Sequence, residues 1–422
     1  MATHSTTAGS ATLERIERDY EAVAAQLPDA ALARPLREQA ARELRRLGWP
    51  KVTDEQWRYA NLRAFDTVPG FRPSLPASAR TSAAAAPPDL PPALPGFTRM
   101  LYIDGLRQGG ALGSEPGGLE HWPPEQRLGL LGDMFASDTA TLKIRGDARI
   151  ELLFFNSEAA TASYPRLQLQ LEPSSELQLV ERHLGAAPQA ALVCPTAMIR
   201  LAAQSRLTHY RLQQCGPQTV FTDTLSAHLA EGAHYRVRQI ALGAASARTS
   251  AHIRLQGRGA ATSWQSIAVG RHQQVQDTAL KVEHLAPDTQ TEEVFRGIAE
   301  ERARIAFNGH IHIAASAPGS DSRQSLRGLI EGDGAEIDLR PRLQIDTDAV
   351  RAQHGATTGA LDDNLMFYLL ARGIDRATAR ALLKWAFLGD VLRAIELPDV
   401  RRAAEHGAAG QLPDAAVIGA LT

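Results

Sequence analysis

His354 stands between an alternating apolar stretch (Leu343, Ile345, Val350) and an apolar run (Leu365, Met366, Phe367, Leu369, Leu370), with small residues from Gly355 to Gly359 directly after it. That order predicts a strand, a small-residue turn and a helix, with the imidazole presented at the joint rather than packed. Imidazole nitrogen is a competent ligand for iron and zinc; the plainer reading is a solvated loop histidine. His310 and His312 flank Ile311 on a strand-like run. Both rings would then point to one face and could share a metal, although an outward polar face explains them more simply. Cys194 and Cys215 have nothing nearby that would depress a thiol pKa, and read as small buried hydrophobes. Asp346 with Asp348, and Asp362 with Asp363, raise acid–base chemistry. The first pair would share one strand face, as in sugar-cleaving β-helices, whereas Asp362 is better explained as a helix N-cap. No GxxxxGK[ST] phosphate cradle occurs, so any ATP hydrolysis belongs to a partner.

The elements that must position these residues fall into three parts: 1–147, helical with a Pro/Ala-rich linker; 148–350, a β-helix core; and 351–422, helical. In the first, Leu13, Ile16, Tyr20 and Val23, then Leu36, Ala40 and Leu44, recur at spacings of three and four. They predict two helices parted at Leu27-Pro28-Asp29. The stretch 68–95, rich in Pro, Ala and Ser, reads as linker, and Leu101 to Gly105 as a strand and turn. From about Ala148 to Ile345 strand alternation dominates, as at Leu167, Leu169 and Leu171 or Ile311 and Ile313. A turn-then-strand pattern recurs at Ser174-Ser175-Glu176-Leu177, Gln204-Ser205-Arg206-Leu207, Gly232-Ala233-His234-Tyr235, Gly259-Ala260-Ala261-Thr262 and Gly334-Ala335-Glu336-Ile337. Most intervals are roughly thirty residues, with one longer gap, which favours a stacked solenoid over a sandwich. Helices at either side would cap its open ends. Beyond Gly359, Asp362 and Asp375 are N-cap candidates and Arg372-Gly373 a helix stop. A second helix carries Leu382, Leu383, Ala386, Phe387, Val391, Leu392 and Ile395 to Pro398, a weaker third spans Asp399 to His406, and the residues after it read as a tail.

Composition narrows the partners. A formal charge of −2 gives no reason to expect nucleic acid or an anionic membrane surface. No apolar run approaches a bilayer-spanning length, and the start has no apolar signal core. Two cysteines fit a reducing cytoplasm and cannot alone hold a four-thiolate cluster. Aromatic residues make up only 5%, few for stacking against sugars.

The run Val350-Arg351-Ala352-Gln353-His354-Gly355-Ala356-Thr357-Thr358-Gly359-Ala360-Leu361-Asp362, then Phe367-Tyr368-Leu369 and Arg372-Gly373-Ile374, resembles the signature of the SufB/SufD family. These are the paired scaffold subunits of the SUF iron–sulfur cluster assembly system. His284 to Ile313 and Asp54 to Phe65 are also similar, and the details lean to the SufD side. One departure is Ala352, where the family carries a cysteine. The resemblance implies a mainly β fold, a right-handed parallel β-helix between helical domains. It implies a non-enzymatic scaffold that pairs with a SufB-like paralogue through the β-helices and binds a SufC-like ATPase on its C-terminal helices, with Phe367, Tyr368, Arg372, Gly373, Leu382 and Leu383 at that dock. His354 would ligate a transient iron–sulfur cluster shared with SufB. Whether a flavin binds the assembled complex stays open. The competing class is a carbohydrate-active β-helix enzyme, a lyase or hydrolase.

Overall fold

The coil of this protein is set at its corners. In the computed structural model, which describes residues 3–28, 30–75, 90–109, 122–157, 162–185 and 190–412, Ser174, Gln204, Gly232, Gly259, Asp288 and Gly319 all adopt left-handed backbone conformations, with φ of 59°, 61°, 59°, 69°, 62° and 79°. Each lies just before a strand, and each donates its N–H to the carbonyl of the equivalent corner one coil on: Ser174 to Ala203, Gln204 to Glu231, Gly232 to Arg258, Gly259 to Pro287, Asp288 to Pro318 and Gly319 to Ala349. The corners therefore stack as regularly as the strands. The longer gap in the sequence period contains two further corners, Asp288-Thr289-Gln290-Thr291 and Gly319-Ser320-Asp321-Ser322. Gly334-Ala335-Glu336-Ile337, expected to belong to the same series, instead opens a strand of the opposite sheet.

The chain alternates between two parallel sheets. The first contains Thr98–Ile103, Asp147–Asn156, Glu176–Gly185, Arg206–Gln214, His234–Ala241, Ala261–Gly270, Gln290–Glu300, Asp321–Glu331 and Arg351–Gly359, with Leu106–Arg107 closing an antiparallel hairpin on Thr98–Ile103. The second contains Ala140–Ile144, Arg166–Leu171, Thr196–Leu201, Val220–Leu229, Ser246–Leu255, Val275–His284, Arg304–Ile313 and Glu336–Ile345. This is a β-solenoid, mainly β as expected, with stacked strands reaching from Thr98 to Gly359. Its interior is filled by one residue in two along each strand: Leu177, Leu207, Tyr235, Trp264, Phe295 and Leu326 face Leu225, Ile253, Leu280 and Phe307. Strict pairing in register lets like side chains stack from coil to coil.

Helices cover the outer faces. At the N-terminal side, α1 (Thr3–Val23), α2 (Ala30–Leu47), α3 (Ala64–Thr67) and α4 (Gly129–Phe135) bury Ile16, Tyr20, Leu44, Phe65 and Phe135 against Tyr164, Leu192 and Met198 beside the second sheet. The expected two-helix start is present, with Asp29 outside the described residues. The Pro/Ala-rich linker lies outside them from 76 to 89, and the expected tail from 413 onward.

On the other side, α5 (Asp363–Ala371), α6 (Arg376–Arg393) and α7 (Pro398–Gln411) follow the last strand. Leu388, Val391, Leu392, Ile395 and Val400 pack on Tyr210, Leu212, Ile240, Ile267 and Ile298 of the first sheet. The third helix is longer than its weak sequence signal and absorbs the first residues expected in the tail. Buried Lys384 pairs with Glu300 at 2.6 Å, and Arg296 with Asp390 at 2.7 Å, so α6 is held to the solenoid by charge as well as apolar contact.

Candidate functional site

The C-terminal end of the solenoid is open. Arg351–Gly359 is the last strand of the first sheet and Glu336–Ile345 the last of the second, so each has one unpaired edge within the described residues. Nearly every residue from Arg351 to Gly359 is exposed. A sheet edge of this kind presents free N–H and C=O groups to any strand that can pair with it.

His354 lies on that edge strand. The small residues from Gly355 to Gly359, expected to form a turn, continue the strand in register with Asp321–Glu331. Parallel pairing with the coil beneath satisfies their backbone groups on one side, and this tertiary contact overrides the turn preference of a Gly/Ala/Thr run. His354 is thus placed mid-strand, directly over Gln324, and its ring is exposed. The joint falls later, at Ala360-Leu361. There Asp362 caps α5, its Oδ1 accepting from the N–H of Asn364 at 2.8 Å and of Leu365 at 3.2 Å. A cap of this type stabilises a helix by about 1 kcal/mol.

That helix carries an exposed apolar face. Phe367 is 73% exposed, Tyr368 53% and Leu365 52%, values that set them apart from the buried Met366 between them. The Arg372 guanidinium sits 4.2 Å over the Tyr368 ring. Gly373, at φ 84°, lets the chain leave α5 through paired bonds from the N–H of Gly373 to Leu370 and of Ile374 to Leu369. Leu382 and Leu383 are half-buried on α6. Leu383 lines an apolar cleft of about 340 Å³ together with Leu329, Thr357, Leu361, Leu365 and Phe387. The cleft therefore joins the edge strand, α5 and α6.

The other candidates are dispersed. His310 and His312 do share the outward face of the second sheet, as their spacing requires. His312 Nε2 meets Asp346 Oδ2 at 2.8 Å, while burial, with Arg342, Lys281 and His312 beside it, pushes His310 down to about 4. Among the described residues no group of three or more His, Cys, Asp or Glu side chains is arranged to hold a metal. Cys194 and Cys215 are both buried; burial raises the Cys194 thiol and pushes Cys215 up to about 12. Asp346 and Asp348 do not share a strand face, because the strand ends at Ile345. Sequence reasoning missed a second set of groups inside the solenoid, at Glu181, His209, Arg211, Asp223, Glu293 and Gln324, all buried. The signal was available: Glu293 alternates with Thr291 and Phe295, an inward position where an apolar residue would be expected.

A model of the "SUF system FeS cluster assembly, SufBD core domain" matches residues 154–387, more than half of the chain. The chain belongs to the SufB/SufD family. The iron–sulfur cluster assembly protein SufD of Escherichia coli (strain K12) is 29% identical over 245 residues, 56% of this chain and 56% of that protein. A SufBD family protein of Mycobacterium tuberculosis (strain ATCC 25618 / H37Rv) is 31% identical over 252 residues, 58% of this chain and 62% of the relative. Against these two the match spans less than two thirds of the relatives' length. A Synechocystis SufBD family protein matches more extensively at lower identity, 24% over 399 residues, 86% of this chain and 88% of its own. The chain is thus a SufD-like member of the SufB/SufD family, and the matched core contains both His354 and the α5–α6 cleft.

Proposed function

We propose that this chain is a non-catalytic, SufD-like scaffold subunit for iron–sulfur cluster assembly, paired with a SufB-like paralogue and driven by a SufC-like ATPase. The observation that carries this reading is the open sheet edge with an exposed histidine on it, next to a helix whose large apolar side chains face solvent. A solenoid of the same family can continue both sheets across that edge, which supplies backbone hydrogen bonds to otherwise free groups. His354 then lies at the junction and offers one nitrogen ligand. The remaining ligands of the transient cluster, which is cargo rather than a resident group, come from the paralogue, since Ala352 offers no thiol on this side. Phe367, Tyr368, Arg372, Gly373, Leu382 and Leu383 form the ATPase dock, with the aromatic pair as anchors.

Nucleotide-dependent movement of the ATPase would be passed through α5 and α6 to the edge strand. The ion pairs of Lys384 and Arg296 make α6 and the solenoid move as one piece. The energy for such a change comes from the ATPase, because a shift between two states needs a differential binding free energy. No described helix is long and apolar enough to cross a membrane, and we place the complex in the cytoplasm.

The test is His354→Ala in the assembled complex. Its exposed ring contributes little burial, so the unfolding midpoint should stay within the range of ordinary surface changes, about ±0.5 kcal/mol. Cluster formation on the complex should fall sharply. Normal assembly by a well-folded variant complex would remove His354 from the site.

A further inference from the structure

Four residues on successive coils occupy one inward-facing row of the first sheet. Trp264 pairs in register with Glu293, Glu293 with Gln324, and Gln324 with His354. Neighbours in such a row are about 4.8 Å apart at the backbone. Trp264, Glu293 and Gln324 are buried, and the row reaches solvent only at His354.

The Gln324 amide is used at one end only. Its Nε2 donates to Glu293 Oε2 at 2.8 Å and to the Gly309 carbonyl at 3.0 Å. A backbone carbonyl can only accept, so the amide cannot be turned the other way. Oε1 is sealed from solvent and finds no hydrogen-bond partner among the described residues. The facing sheet is built to keep the side chain there. A Cβ at Gly309 would collide with Glu293 Oε2 and lie 2.7 Å from Gln324 Nε2, so the glycine opens the space that both side chains fill. A buried acceptor, fixed from behind and without a partner, thus lies one register position beneath an exposed imidazole.

We propose that Gln324 is a positioning residue for His354. Its Oε1 accepts the N–H of one ring nitrogen, which fixes the tautomer and turns the other nitrogen, with its lone pair free, toward the open end of the solenoid. Metal-binding histidines are commonly held in this way, by an acceptor on the nitrogen that does not bind the metal. The proposal rests on the reading of His354 as a ligand, and Glu293 and Gly309 act only through Gln324.

The test uses the full chain labelled with 15N-histidine. The His354 signals are identified by their loss in His354→Ala. The expected result is one His354 ring N–H protected from solvent exchange and one bare nitrogen. Gln324→Met should abolish the protection, and Gly309→Ala should do the same by displacing the amide. Gln324→Glu, which keeps an acceptor oxygen, should retain it. The ring signals of His209 and His284, both hydrogen-bonded in the interior, should not move and so report an intact fold. An unprotected His354 ring in the wild-type chain, as expected if an ordered water takes Oε1 instead, overturns the proposal. Protection that survives Gln324→Met in a folded chain overturns it equally. Cluster formation by the complex separates the ligand reading. Loss of protection in Gln324→Met together with normal assembly by His354→Ala would keep the hydrogen bond and sink the positioning role.

Discussion

Replacing Arg211 by methionine should be among the most damaging single changes in the solenoid. Arg211 Nη1 and Nη2 grip Asp223 at 2.8 and 3.1 Å, and Nη2 also reaches Glu181 Oε1 at 3.1 Å. Glu181 further accepts from His183 Nε2 at 2.6 Å and from His209 Nε2 at 2.9 Å, while the Tyr235 hydroxyl, 3.1 Å away, donates to His209 Nδ1. All of these side chains are buried. Burial alone would raise the Glu181 carboxyl, but Arg211 and the two imidazoles outweigh it and hold the group well below the usual range. Burial likewise keeps His209 neutral at pH 7, by pushing its pKa down. Arg211 is therefore the main cation facing two carboxylates. Methionine fills similar space but leaves both charges uncompensated, at a cost of about 3–5 kcal/mol, a large part of the roughly 5–15 kcal/mol that holds a domain folded. The sign of the pH dependence follows. Without Arg211, burial is left as the largest influence on the Glu181 carboxyl and raises it, so the deficit should be greatest at pH 7–8 and shrink as pH falls toward 5. Arg304, whose pair with Glu336 at 2.9 Å is 62% and 54% exposed, provides the control; Arg304→Met should cost at most about 1 kcal/mol. Urea midpoints for both variants at pH 5 and pH 8 measure the difference. A loss from Arg211→Met no larger than that from Arg304→Met, or one that grows at pH 5, would refute the reasoning. The triple variant Glu181→Gln, Arg211→Met, Asp223→Asn should recover much of the loss, since it leaves no unpaired charge.

Two further outcomes are expected. Burial raises Glu293 to about 8, so the folded chain keeps this proton while the unfolded chain releases it from about pH 4.5; wild-type stability should fall by about 1.4 kcal/mol per pH unit between those values. Glu293→Gln should lack that slope and be the more stable protein at pH 8, and parallel stability curves from pH 5 to 8 would contradict the assignment. At the proposed dock, Phe367→Ser should leave the unfolding midpoint unchanged while weakening binding of the ATPase by about 2 kcal/mol, roughly thirty-fold. Calorimetry showing equal affinity for the two chains would rule out Phe367 as an anchor.

The solenoid was legible in the sequence because its cause is local and repeated. Each coil needs a left-handed corner and inward apolar alternation, and both leave marks at Ser174, Gln204, Gly232 and Gly259. Asp288 and Gly319 are not marked in the same way because the strands after them carry polar residues inward, Thr291, Glu293, Ser322 and Gln324, which blurs the alternation. The helix boundaries after Gly359 were legible for the same reason: Asp362, Asp375 and Gly373 act on their own neighbours. The edge strand was not. Gly355 to Gly359 has the composition of a turn, and only the coil beneath, beginning far upstream at Asp321, supplies the ladder that makes it a strand.

The difference between turn and strand bears on the site. At a flexible turn His354 would be free to find its own orientation. On an edge strand its Cα is fixed by pairing, its direction is set by the parity of the strand, and the residue beneath it is Gln324. The same parity points Ala352 inward over Ser322, two positions away in the same strand. A thiol at 352 would therefore sit beside the histidine on the same face, over the same polar floor. Its absence leaves one oriented donor at an open end. Under the proposed function, such an end would bind metal weakly alone and usefully once a second chain brought thiolates to it. On this reading the edge strand is where pairing of chains and completion of the ligand set coincide, and a partner able to extend the sheets is also the one able to complete the site.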